Sequence, residues 1–262
     1  MKKLIVLTFL MSLVLAGCKT AATQKPSEPV NGGNYTDEMK IEHTANISEE
    51  DGADSVERQG DHKDSPYFNT LDFYNMKSNE TLTILSNFKT LQQSSEWSCG
   101  VTSGLMVLNW YDSLGEYNEK TLAEFRSNKL TPEATSLRQL IEVFEGVGGF
   151  DLMSTFDVEG DVSEYFTFDF IKETLGEDTP IMVGWNDWGG HWQVIIGYDD
   201  MGTETEQDDV IIVADSYDTT DHNQDGYGVY PAERFYYNFS FYDFFEEAEL
   251  NDMVFLIAKP QA

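Results

Sequence analysis

Three apolar runs in the second half of the chain, Pro180–Trp185, Trp192–Tyr198 and Val210–Asp215, follow one another with no helical pattern between them. Parallel strands need a long crossover, usually a helix, whereas antiparallel strands can be joined by short links. The three runs therefore predict an antiparallel sheet, with a fourth run at Met253–Ala258. The first half reads differently. Gly100–Asp112 places Val101, Leu105 and Leu108 on one helical face, widened by Met106 and Trp110. Glu119–Asn128, Ser136–Phe144 and, more weakly, Tyr165–Leu175 read as further helices. Helices first and strands later define an α+β fold, with a helical part followed by an antiparallel sheet.

The 262 residues fall into three stretches. Residues 1–17 open with Lys2 and Lys3, continue through an apolar Leu4–Leu15 and end in small residues before Cys18. That run is too short for a stable membrane span and reads as a signal peptide. Leu15-Ala16-Gly17-Cys18 resembles the bacterial lipobox. The resemblance implies cleavage before Cys18 and lipidation of its thiol, and several acyl chains anchor durably. An ordinary secretory signal ending near a cysteine is the alternative. Residues 18–64 are polar, acidic and poor in aromatics, which predicts a flexible tether. Residues 65–262 form the expected domain. The expected location is the cell envelope, as a membrane-anchored lipoprotein facing the extracytoplasmic side.

A net charge of −31 argues against phosphate-backbone partners, so nucleic-acid binding is not expected. Acidity by itself names no substrate. Two cysteines make no disulfide framework.

The second cysteine, Cys99, stands where the first helical pattern begins, with Ser98 placed as its N-cap. A helix N-terminus supplies the positive potential that a reactive thiol needs. Gly100 would let a substrate approach the backbone, and the Cys99 N–H and the Gln93 amide are placed to donate to an oxyanion. Read alone, Cys99 fits equally a small buried hydrophobe. Of the four histidines, His43 and His62 lie in the tether, and His222 lies in an acidic loop as a weaker base. His191 starts a strand after Trp188-Gly189-Gly190, where glycines open a cleft. If the next strand is its neighbour, Asp215 can accept from the ring and fix its tautomer. The bland alternatives are a structural strand histidine and a solvated strand end.

Gln93 with Ser98-Cys99-Gly100-Val101-Thr102-Ser103, then Gly190-His191-Trp192-Gln193-Val194-Ile195-Ile196-Gly197-Tyr198-Asp199, then Val213-Ala214-Asp215, resembles the papain-like cysteine peptidases. The nearest likeness is to the family typified by bacteriocin-processing, double-glycine-leader peptidase domains and their stand-alone relatives. The order Gln, Cys, His, Asp is that family's. The resemblance implies that Cys99 attacks, His191 is base then acid, Asp215 orients His191, and Gln93 serves the oxyanion hole. Val101 stands where relatives often have Pro, and Gly104 where Ala is common; neither removes a catalytic atom. Well-known members are fused to transporters and cut cytoplasmic leaders. The expected export of this chain keeps that substrate from being carried over.

The reading implied is a lipid-anchored cysteine peptidase or amidase acting on a peptide or protein, with no metal or organic cofactor. Transfer of the acyl group to another nucleophile, or a binding lipoprotein on the same scaffold, are the alternatives. Trp97 and Trp188, with Gly100 and Gly190, are the candidate substrate-binding positions, although core packing explains tryptophans equally well. Asp221, Asn223 and Asp225 match the start of a calcium loop, but Ala232 occupies its twelfth position, and an Asx-rich turn is the favoured reading.

Overall fold

A computed structural model describes residues 41, 52–53, 71–187, 189–219, 224–239 and 253–261. Among them, β1 is Leu82–Ile84, α1 Cys99–Trp110, α2 Glu119–Ala123, α3 Leu137–Val147, β2 Phe150–Ser154, α4 Val162–Tyr165 and α5 Phe168–Gly176. The remainder is β3 Ile181–Trp185, β4 His191–Asp199, β5 Val210–Asp215, β6 Tyr227–Pro231, α6 Ala232–Asn238 and β7 Val254–Pro260. The strands form one sheet in the order β2-β7-β3-β4-β5-β6, with β1 also paired to β4. Every pair is antiparallel, and among the described residues the consecutive pairs β3–β4, β4–β5 and β5–β6 are joined without a helical crossover.

The central strand is β4. Residues His191–Tyr198 are all buried, so both its faces are covered, and α1 and α5 pack on it. Helix α1 is the core helix. Its residues 99–108 are buried all round rather than along one stripe, and α2 and α3 pack against it. Small side chains make this possible. A Cβ on Gly104 would touch Leu122, and one on Gly100 would come within 2.8 Å of Thr135 Cβ and 3.1 Å of Trp192 Cδ1.

Several boundaries differ from the expected ones, each for a local reason. The helix expected over Glu119–Asn128 stops at Ala123. The chain then folds into turns around the buried Arg126 side chain, which binds the carbonyls of Lys129, Thr131 and Glu133. The helix expected over Tyr165–Leu175 is two, α4 and α5, divided at Phe166 and Thr167, where the Thr167 hydroxyl caps α5. Strands β2 and β6, at the two edges of the sheet, are only partly buried and carry no apolar run of the kind that marks the inner strands. Pro231 ends β6, a position an edge strand tolerates.

Packing also reaches upstream of residue 65. Within the expected tether, Ile41 and Ala53 are buried. Ala53 N–H donates to the Gln93 carbonyl at 3.0 Å, and Ile41 N–H donates to Ser94 Oγ at 2.9 Å. Gly52 has φ +82°, and a Cβ there would meet the Ser94 carbonyl carbon at 2.4 Å. Parts of this segment are therefore fitted to the domain rather than free of it. Cys18 and residues 1–17 lie outside the described residues.

Candidate active site

Cys99 opens α1, and the helix starts there without a side-chain cap. Ser98 occupies the N-cap position but does not cap. Its hydroxyl bonds Glu119 Oε1 at 2.9 Å and the Ser95 carbonyl at 3.3 Å instead. The first N–H groups of a helix have no intrahelical partner. Among the described residues nothing accepts from the Cys99 N–H, so it remains available beside the sulfur.

Glu119 fixes the approach to this helix. It is wholly buried, and its carboxylate accepts from Ser94 N–H (3.1 Å), Ser94 Oγ (2.6 Å), Ser98 Oγ and Thr102 Oγ1 (both 2.9 Å). Ile41 N–H adds a longer fifth bond at 3.3 Å. Burial raises its pKa, against the pull of those donors. One carboxylate thus ties the 94–98 loop, α1 and α2 together. The sequence offered no signal for it beyond a glutamate at the start of a helix.

Strands β4 and β5 are neighbours, and Gln193 stands opposite Asp215 in register. The alternation of β4 puts His191 and Gln193 on one face. His191 Nε2 lies 2.6 Å from Asp215 Oδ1. Nδ1 is the ring nitrogen that Asp215 does not use, and Cys99 acts on the imidazole electrostatically. Burial alone would push the His191 pKa down. The Asp215 charge and hydrogen bond, then Cys99, outweigh it and hold the ring well above its ordinary 6.5. For Asp215, burial pulls upward, but His191 wins and the carboxyl sits below its ordinary range. An ionised carboxylate only accepts, so the ring Nε2 is the donor.

Asp215 is itself held from three sides. Tyr217 N–H donates to Oδ1 at 2.7 Å, and Gln193 Nε2 donates to Oδ2 at 2.8 Å. Gln193 Oε1 accepts from the Trp185 indole at 2.8 Å. An indole N–H cannot accept, so this bond fixes which end of the amide faces Asp215. Gln193 thus orients Asp215, a contact that its place in the motif did not announce, although its spacing of two from His191 on a strand marks the same face. Tyr230 OH completes the network, 3.1 Å from Gln193 Nε2 and donating to Asp187 Oδ2 at 3.2 Å. Trp185, Asp187 and Tyr230 also line a cavity of about 240 Å³ with Arg234 and Phe235.

Gln93 is buried and aligned by two partners. Its Nε2 donates to the Ser95 carbonyl at 2.8 Å, and its Oε1 accepts from Ser216 Oγ at 2.7 Å. A primary amide has two N–H bonds, so one remains without a partner among the described residues. Its backbone N–H donates to the Ser216 carbonyl at 2.9 Å. The segment before the nucleophile is therefore laced to the end of β5, the strand that carries Asp215.

The other candidates fare unevenly. Trp97 is buried, its indole N–H has no partner among the described residues, and the Arg126 guanidinium lies 4.5 Å from its ring centroid. The space beside Gly100 is filled by Thr135 and Trp192 rather than left open to a substrate, so close helix packing is what requires glycine there. Gly189 and Gly190 have φ +82° and +137°, forming the turn that leads into His191. Trp188, His222, Asp221 and Asn223 lie outside the described residues. Asp225 Oδ1 accepts from Tyr227 N–H at 3.1 Å, an Asx-type turn.

A helix that opens on Cys99, set against an antiparallel sheet that brings His191 and Asp215 together, is the arrangement of a papain-like cysteine peptidase fold. The family model described as "Peptidase_C39 like family" matches residues 85–243, which includes Gln93, Cys99, His191 and Asp215. The chain belongs to that family. Among solved structures, a C39-like peptidase from Bacillus anthracis aligns at 13% identity and TM-score 0.47, covering 70% of this chain and 100% of that one. No curated protein matches the chain.

Proposed function

We propose that this protein is an exported, lipid-anchored cysteine peptidase or amidase that hydrolyses peptide-type bonds. The observation that carries the proposal is the buried Cys99–His191–Asp215 line, in which an ionised carboxylate holds Nε2 and Nδ1 is left to the thiol. A binding module has no need of a charged imidazole beside a thiol at a helix N-terminus.

The cycle begins with a thiolate and an imidazolium. Cys99 Sγ attacks the scissile carbonyl, and the oxyanion is received by the Cys99 N–H and the free N–H of Gln93. The tetrahedral intermediate collapses as the C–N bond breaks, and His191 gives its proton to the departing amine. Neutral His191 then takes a proton from water, which attacks the thioester. Collapse releases the acid and returns Cys99 as thiolate beside a protonated ring.

A peptide electrophile such as a chloromethyl ketone tests the nucleophile directly. It should label Cys99 at least about 100-fold faster than it labels free cysteine, the low end of what a positioned acid–base partner contributes. Labelling at the free-thiol rate would exclude a catalytic thiol. The anchor rests on the Leu15-Ala16-Gly17-Cys18 pattern. Cys18→Ser should move the protein from the membrane fraction to the soluble fraction. Unchanged fractionation would remove the lipid from the account.

A further inference from the structure

Arg126 is 1% exposed, and its five N–H groups are all engaged. Nε and Nη2 bond the Lys129 carbonyl, Nη2 also bonds the Thr131 carbonyl at 3.0 Å, and Nη1 bonds the Glu133 carbonyl and Thr135 Oγ1, each at 3.0 Å. Every one of these acceptors is neutral. Among the described residues, no carboxylate lies within ion-pair distance of the guanidinium. This is unusual, because a buried charge without a counter-charge is costly. The cost is felt: desolvation brings the Arg126 pKa down to about 10, while the charge of Cys99, ahead of that of Glu133, pulls it back up.

The location explains the pairing. The guanidinium lies over Trp97, two residues before the nucleophile. Thr135, which it holds through Oγ1, packs against Gly100, one residue after it, and the Thr135 carbonyl accepts from the Trp192 indole at 2.7 Å. Arg126 is therefore fixed beside the first turn of α1 on both sides of Cys99. The other charged groups around the thiol are His191 from β4, Asp215 behind it on β5, Glu119 under Ser98, and Glu96 at the rim, where it accepts from Tyr217 OH. Glu119 and Asp215 disfavour a nearby thiolate. Glu133 acts on the guanidinium in the same direction as Cys99. Among the described residues, His191 and Arg126 are the groups that favour the thiolate, and the His191 proton must leave during catalysis.

We infer that Arg126 is a positioning residue for charge: its buried guanidinium is the permanent counter-charge of the Cys99 thiolate, maintained when His191 is neutral. The inference rests on Cys99 being the nucleophile, but its test does not depend on any peptide being cut. The rate of Cys99 alkylation by iodoacetamide is followed against pH in the full chain, with circular dichroism and melting as folding controls. Arg126→Gln should lower the rate at pH 6 about tenfold while leaving the rate at high pH unchanged, the factor that about 1.4 kcal/mol of lost charge stabilisation gives. Arg126→Lys, which retains the charge but loses the fork, should recover much of that loss. An Arg126→Gln profile identical to wild type overturns the inference, as does equal loss in the Gln and Lys variants. His191→Gln provides an arm with Arg126 intact: alkylation at pH 6 should stay above that of free cysteine, and a fall to the free-thiol rate refutes the assignment. If these outcomes hold and no peptide is hydrolysed, the peptidase reading fails while the charge pairing stands.

Discussion

Cys99→Ala should abolish hydrolysis across a peptide panel, with kcat falling about 10⁴–10⁶-fold, the range seen when a hydrolase loses its nucleophile. The size follows from what the sulfur does. The other groups here act on an acyl intermediate or on the proton that accompanies it, and without Sγ there is no intermediate for them to act on. Residual turnover would reflect the oxyanion donors and binding alone. The fold should survive, since alanine occupies nearly the same space in the first turn of α1 and the Gln93, Glu119 and Gln193 networks do not include the thiol. Full activity in the variant would end the peptidase proposal.

Asp215→Asn should lower kcat about 100-fold and also change the shape of the pH profile. In the native site, Asp215 outweighs burial and lifts the imidazolium well above 6.5. The working ion pair is therefore lost only as pH rises through that raised value. Asparagine still accepts from Nε2 but carries no charge, so burial dominates and the alkaline limb should move to lower pH. The same signs apply to stability. The His191 contribution is fully present below about 6.5 and is lost as pH rises through its raised folded value. The Asp215 contribution is present above about 3.9 and is lost as pH falls through its lowered folded value. The variant should accordingly lose most stability between those limits, as read by urea denaturation. An alkaline limb left where it was would mean that Asp215 does not set the His191 charge.

Cys99, His191 and Asp215 were legible as candidates because each stands at an element boundary that local pattern reveals. Cys99 begins a helix, His191 begins a strand and Asp215 ends the neighbouring one. The antiparallel pairing that unites the last two followed from short links. Glu119 and Arg126 were not legible. Their side chains look like surface charges in a helical run, and only the packing of α1, α2 and the 124–135 turns buries them. The edge strands β2 and β6 escaped because each is five residues long and mixes polar, glycine or proline positions with its apolar ones. The docking of Ile41 and Ala53 escaped because isolated small apolar residues in an acidic stretch carry no periodic signal.

The all-round burial of α1 has a bearing on how such a protein can change over time. An element with no solvent face opens only when the whole domain does. The sulfur it carries is thus a fixed point. It cannot be re-aimed by surface substitution, and alterations beneath it cost the fold before they alter the chemistry. Novelty in what is cut must come from the surrounding walls, such as the Gly189–Gly190 turn and the Tyr217 and Glu96 rim, where loops tolerate substitution. Under the peptidase proposal, lineages of this chain can exchange one substrate for another while the Cys99 sulfur remains in place.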